Sequence, residues 1–265
     1  MNVLLYKQHK IRFSIIQVEV IKKEVGMKVT AISDIHGNLI DIEPCDTLLI
    51  CGDISPLEIQ RDYIQMTKWF FNEFQKWIMN LPCDRVILTP GNHDFWFEKM
   101  ITQPQTYLFD KLTILINGEA NIYSDVDHKY YKIYGTPYCK TFGNWAFMKT
   151  HDELIEIYNK IPVGVDILMT HEAPDLAEVG YTHLDDGIKI PYHCYALTEA
   201  IKRKTPTYAL CGHVHSGNHK LTAVPIYGYE QFDDVGNPWT TVNVANVSIL
   251  DESYSIYYKP LTFEL

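Results

Sequence analysis

The 265-residue chain contains no apolar run of about 18 residues, so no membrane-spanning helix is expected. Its six cysteines (Cys45, Cys51, Cys83, Cys139, Cys194 and Cys211) include no CxxC pair, which argues against a disulfide framework. Reduced thiols in a cytoplasmic protein are expected instead. Basic runs are also scarce. The densest, Lys202-Arg203-Lys204, is three residues long, and 23 Lys/Arg against 33 Asp/Glu leave a net charge of −10. A long nucleic acid is therefore not an expected partner, whereas a small anion held by a local positive centre is compatible with that balance. Repeats, low-complexity tracts and linkers are absent, and nothing in the residues indicates an oligomeric state. The 46% hydrophobic and 21% charged residues are those of an ordinary globular protein with a sizeable core.

The first 26 residues differ from the rest. They carry five Lys/Arg and two Glu, a net of +3, which leaves −13 for the remainder. Lys7, Lys10 and Arg12 interrupt any signal-peptide core. Met27 opens "MKVTAISDIHGN", which reads as a protein start, and the preceding Lys-Lys-Glu-Val-Gly can be encoded by a purine-rich stretch of the kind a ribosome binds upstream of a start codon. Residues 1–26 are expected to be a mis-annotated leader, with an N-terminal arm built on Val18 and Val20 as the alternative. Residues 27–265 are expected to form one domain.

Short apolar runs alternate with helical stretches. Strands are expected at 28–33, 47–51, 85–89, 112–117, 132–136, 166–170 and 207–211, with β-rich segments at 240–250 and 254–263. The spacing of Ile59, Tyr63, Met66, Phe70, Phe74, Trp77 and Leu81 predicts a helix over 57–81, ended by Pro82. Further helices are expected at 151–161 and 192–204. The order predicts a layered α/β architecture with mixed sheets.

Five of the expected strands end in polar clusters. Ser33-Asp34-Ile35-His36-Gly37-Asn38 follows the first and Gly52-Asp53 the second. Gly91-Asn92-His93-Asp94, Thr170-His171-Glu172 and Gly212-His213-Val214-His215 follow three others. Ligands of α/β sheets bind outside the carboxyl ends of strands. One crevice there would gather Asp34, His36, Asp53, Asn92, His171, His213 and His215, too many ligands for one tetrahedral ion and about right for two ions sharing a bridge. Nitrogen and carboxylate donors suit Mn, Fe or Zn, with Mn favoured. Singly, each motif has an ordinary explanation: Asp34 could cap a helix and Gly52-Asp53 could be a turn. All five in order are much harder to explain that way.

These motifs, D-x-H, G-D, G-N-H-D, H and G-H-x-H in this order, resemble the calcineurin-like metallophosphoesterases over about residues 28–248. The stretches "SDIHGN…PCDTLLICGDIS", "GTPY…NWAF", "IPVGVDILMTHEAPD" and "ALCGHVHSG" are most similar to the metallophosphoesterase-domain-containing branch. The resemblance implies a four-layer α/β sandwich of two mixed β-sheets flanked by helices. It implies one ion on Asp34, His36 and His215, a second on Asn92, His171 and His213, and Asp53 as the bridge. It further implies that His93 is the catalytic histidine and that Asp94 orients it.

In that picture two divalent ions bring four positive charges, and two carboxylates with a bound hydroxide remove three, leaving about one. Asn92 supplies oxygen without charge and keeps the centre positive. The ions would lower the pKa of a bridging water from about 15.7 toward about 7, ready for in-line attack on phosphorus. The expected activity is therefore a metal-dependent phosphodiesterase on a small phosphodiester, a cyclic nucleotide among the candidates. Phosphomonoesterase or protein phosphatase is the alternative on the same site, and a non-catalytic scaffold is a further one. Tyr138, Asn144 and Trp145 are candidate substrate contacts, although core packing is the preferred role for the aromatics. Segment 172–192 is a candidate lid, with structural roles preferred for His183 and His193.

Overall fold

In the computed structural model of the chain, residues 26–183, 187–226 and 240–265 are described. The proposed leader, residues 1–25 of it, lies outside them. Sheet one is built from β1 (Lys28–Ile32), β2 (Thr47–Cys51), β3 (Arg85–Thr89), β4 (Gln105–Leu108) and β5 (Leu112–Leu115). Sheet two takes β6 (Gly118–Ser124), β7 (Lys129–Thr136), β10 (Ile167–Thr170), β13 (Tyr208–Cys211), β14 (Thr222–Ile226) and β15 (Thr240–Asn246), after which β16 (Leu261–Glu264) returns to sheet one. Two ribbons, β8 (Cys139–Lys140) with β9 (Met148–Lys149) and β11 (Tyr181–His183) with β12 (Lys189–Pro191), stand apart.

The sheets have the same plan. Sheet one runs β16-β1-β2-β3-β5-β4 and sheet two β14-β15-β13-β10-β7-β6. In each, four parallel strands are flanked by one antiparallel strand at either edge. Parallel strands are buried on both faces, which is why their sequences read as continuous apolar runs. Alternation divides the work. Leu49 and Cys51 of β2 point inward to meet Ile167, Met169 and Leu210 of the other sheet, while Leu48 and Ile50 point outward. Outside sheet one lie α1 (Tyr63–Trp69), α2 (Gln75–Asn80) and α3 (Phe95–Met100); outside sheet two lie α4 (His151–Asn159) and α5 (Tyr195–Lys204). The result is the expected four-layer sandwich.

Two elements depart from the sequence expectation. The helix read over 57–81 begins only at Tyr63, because Asp62 caps it, its Oδ1 accepting from the N–H groups of Ile64 and Gln65 at 3.0 Å. A π turn at Phe70–Phe74 then interrupts it, and Trp69 and Phe70 both stack on Phe74 with ring centroids 5.4 Å apart. Of the β-rich tail at 254–263, only Leu261–Glu264 is a strand. Asp251 Oδ1 accepts from the N–H groups of Ser253 and Ser255, folding the chain back before it.

Candidate metal centre

All the parallel strands of a sheet present their carboxyl ends at one rim, and here the loops after β1, β2, β3, β10 and β13 meet. The loops are tied to one another by backbone. Asp34 N–H donates to Gly52 O, His36 N–H to Asp53 O and Gly37 N–H to Ile54 O, all at 2.9–3.0 Å. Asp34, His36, Asp53 and His213 have φ of 55°, 41°, 54° and 70°. Left-handed backbone costs a non-glycine residue about 1–3 kcal/mol and persists where surroundings enforce it. Glycines make the room: a Cβ at Gly91 would run into Asp53 Oδ1, and one at Gly212 into Asp34 Oδ2 and Ser33 Oγ.

Within this rim Asp34, His36 and His215 offer donor atoms within 4.8 Å of each other, as do Asp34, Asp53 and His171. Asp53 Oδ2 lies 3.1 Å from His171 Nε2, 3.8 Å from His36 Nε2 and 3.9 Å from His93 Nε2. Asn92 Oδ1 accepts from His171 Nε2 at 2.9 Å, and the rings of His171 and His213 are 5.1 Å apart. The seven candidate ligands and His93 therefore share one cleft.

The imidazoles are oriented for ligation. His171 Nδ1–H donates to Cys51 O at 2.8 Å, and His215 Nδ1–H donates to Asp251 O at 2.9 Å. Each leaves Nε2 facing a carboxylate, His215 Nε2 being 3.5 Å from Asp34 Oδ1. Burial alone would lower the pKa of both rings. Asp53 overrides it for His171, pushing it up to about 10, and Asp34 does so for His215, up to about 9. Two ring protons thus stand where a cation would neutralise the carboxylates. Burial would raise Asp34, but His215 and His171 hold it down at about 2.

His36 is the telling residue. Neither Nδ1 nor Nε2 has a hydrogen-bond partner, and both are buried. Burial lowers its pKa to about 4 despite Asp53 and Asp34, so the ring is neutral with an open lone pair. A buried polar atom left unpaired costs about 1–3 kcal/mol. A divalent cation between Asp34, Asp53 and His36 fits that orphan, and nitrogen with carboxylate donors suits Mn, Fe or Zn.

The position of Asp94 corrects one expectation. Its carboxylate accepts from the N–H groups of Asp53, Ile54, Ser55 and Gly91 and from Ser55 Oγ at 2.7–3.1 Å, so it staples the β2 and β3 loops together. The partner of His93 is Gln60, whose Oε1 accepts from Nδ1–H at 2.7 Å while its own Nε2 donates to Leu57 O at 2.9 Å. Gln60 had no signal in the sequence; it lies in the turn before α1, seven residues after Asp53, in the stretch expected to be helical. On its other side His93 packs against Trp145, with ring centroids 4.4 Å apart and the planes tilted by 37°.

The cleft measures about 430 Å³, and Lys140, Phe142, Trp145, Tyr192 and Tyr254 complete its walls. Trp145 both faces the cleft and packs on the core, whereas Tyr138 packs on the core and Asn144 is exposed. Of segment 172–192, Glu172, Thr182 of β11 and Tyr192 line the cleft. His183 lies in β11. His193 packs against Tyr181 and stands 3.8 Å from Asp175, a structural place. Tyr254 sets its ring edge-on to His36 and His215.

A four-layer sandwich with acidic and imidazole donors on its strand-end rim is the build of a metallophosphoesterase. The family model for calcineurin-like phosphoesterases matches residues 27–217, and the chain belongs to that family. It is 25% identical over 210 residues to human metallophosphoesterase domain-containing protein 1, covering 72% of this chain and 61% of that protein. It is 26% identical over 255 residues to the Caenorhabditis elegans UPF0046 protein C25E10.12, covering 91% and 82%. The chain thus spans about three fifths of the human relative. A solved crystal structure with 15% identity and a TM-score of 0.54, covering 91% of this chain and 99% of that one, shares the fold. No helix among the described residues is long and apolar enough to cross a membrane.

Proposed function

We propose that this chain is a dinuclear-metal-dependent phosphodiesterase acting in the cytoplasm on a small phosphodiester, with cyclic nucleotides among the candidates. The observation that carries the reading is the buried, unpartnered His36 between two carboxylates. Asp34, His36 and His215 would hold one ion and Asn92, His171 and His213 the other, with Asp53 reaching both. When bound, such ions polarise phosphoryl oxygens and make water nucleophilic near neutral pH.

The remaining chemistry belongs to side chains. Asn92 ligates without adding negative charge, so the centre attracts a phosphate. His93 is held by Gln60 through Nδ1–H, which leaves Nε2 facing the cleft to take up a proton and pass it to the leaving oxygen. Trp145 fixes the plane of that ring. The aromatic walls exclude water from one side of the ester and accept a small apolar or planar leaving group.

One observation favours a second reading. Lys140 lines the cleft and adds a positive charge suited to a dianionic monoester. Hydrolysis of bis-p-nitrophenyl phosphate and p-nitrophenyl phosphate with Mn²⁺ separates the two. Faster diester turnover is expected; faster monoester turnover would favour the phosphomonoesterase, and no turnover of either would favour a non-catalytic scaffold.

A further inference from the structure

The donors assigned so far are nitrogen and oxygen, yet a sulfur stands beside them. Cys139 opens β8, three residues beyond the end of β7. That strand runs parallel to β10 with Thr136 paired to Thr170, so its carboxyl end reaches the same rim as His171. The side chain of Cys139 is completely buried. Its Sγ and one ring nitrogen each of His171 and His213 lie within 4.8 Å of one another. The hydrogen bond described for the thiol is weak, to Pro137 O at 3.5 Å.

We propose that Cys139 enters the centre as a thiolate ligand to the ion held by Asn92, His171 and His213, making that half of the site selective for zinc or iron over manganese. The proposal rests on the metal-centre reading above. With metal–sulfur bonds of about 2.3 Å and metal–nitrogen bonds of about 2.0–2.1 Å, neighbouring donors on an ion with five or more ligands stand about 3.1 Å apart. Closing from within 4.8 Å therefore asks for at most about 1.7 Å of side-chain movement. Binding through sulfur sends the thiol proton to solvent, as metal ligation by cysteine requires. Thiolate is a soft donor, and manganese, which prefers carboxylate, carbonyl and water, gains least from it. The two halves then differ. Asp34, His36 and His215 offer a hard, sulfur-free set, and Cys139, His171, His213 and Asn92 a softer one.

Cobalt(II) substitution tests this without reference to turnover. The metal-stripped full chain reconstituted with Co²⁺ is expected to show a thiolate-to-cobalt charge-transfer band in the near ultraviolet beside weaker visible bands. Cys139→Ser is expected to abolish that band while the visible bands persist, and Cys194→Ser to leave it unchanged. Competitive titration should show the preference of the wild type for Zn²⁺ over Mn²⁺ falling by about tenfold or more in Cys139→Ser. Two bound equivalents of Co²⁺ with no charge-transfer band in the wild type would overturn the thiolate ligand and leave the metal centre standing. Failure to retain cobalt at all would overturn both. The wild-type spectrum decides, so a poorly folding variant cannot obscure the answer.

Discussion

Replacing Asp94 by alanine separates a staple from a catalytic steering group. Four backbone N–H groups and one hydroxyl lose their acceptor at once, and all lie in a fully buried place. Each unsatisfied buried donor costs about 1–3 kcal/mol, so the five would sum to about 5–15 kcal/mol if nothing relaxed. Water admitted to the space left by the carboxylate satisfies part of the set, so about 4 kcal/mol is the expected loss. At roughly 2–4 °C per kcal/mol for a domain of this size, calorimetry should find Tm lowered by roughly 8–16 °C. Asp94→Asn keeps one acceptor but turns an amide NH₂ against N–H donors, so it should fall between alanine and wild type. The loops that Asp94 joins carry Asp53 and Asn92, so metal retention should weaken as well. If Asp94→Ala kept Tm within about 3 °C and two bound ions yet lost about 10²–10⁴-fold in kcat, the carboxylate would act on His93 and the staple account would be wrong.

Four further predictions bear on the site. His93→Ala is expected to keep both ions and lose about 10²–10⁴-fold in kcat, whereas Gln60→Ala should lose about tenfold, and more for poor leaving groups than for nitrophenolate. Equal loss for all leaving groups, or loss of metal, would show that Gln60 acts only on structure. In the metal-free protein His171, near 10, and His215, near 9, each hold a proton at neutral pH. Metal uptake near pH 7.5 should therefore release about three protons, two from these rings and one from the Cys139 thiol, readable by calorimetry in buffers of different ionisation enthalpy. Both folded-state values exceed the unfolded value of about 6.5, so their contribution to stability is full below it and lost as pH rises through about 9–10. Asp34, held at about 2, contributes above about 4 and loses that as pH falls through 2. His36 and His213, held by burial at about 4 and about 3, cost stability as pH falls below about 6.5, so thermal stability of the metal-free protein should peak near pH 6.5.

The parallel strands and their polar ends were legible in the sequence because local chemistry writes them. Runs such as Thr47–Cys51 are apolar throughout only if both faces are covered, and a glycine followed by Asp or Asn-His marks where the chain leaves the sheet. Three of the four edge strands, β4, β6 and β14, were not legible. Gly118–Ser124 alternates in burial, but its Gly, Asn and Ser carry little β preference, and pairing with β7 decides it. The helix over 57–81 had the right period, yet the Asp62 cap and the π turn depended on how Trp69, Phe70 and Phe74 stack.

The amino-acid order by itself determined which residue types stand at five strand ends, and so the nitrogen and oxygen donors on offer. Which of those side chains meet was decided by tertiary structure, because the strand-end loops bring together residues from tens to more than a hundred positions apart. That is why Asp94, adjacent to His93 in the chain, turns to the backbone of Asp53, Ile54 and Ser55. It is also why Gln60, 33 positions away, holds the ring, and why Cys139 lies against His171 and His213.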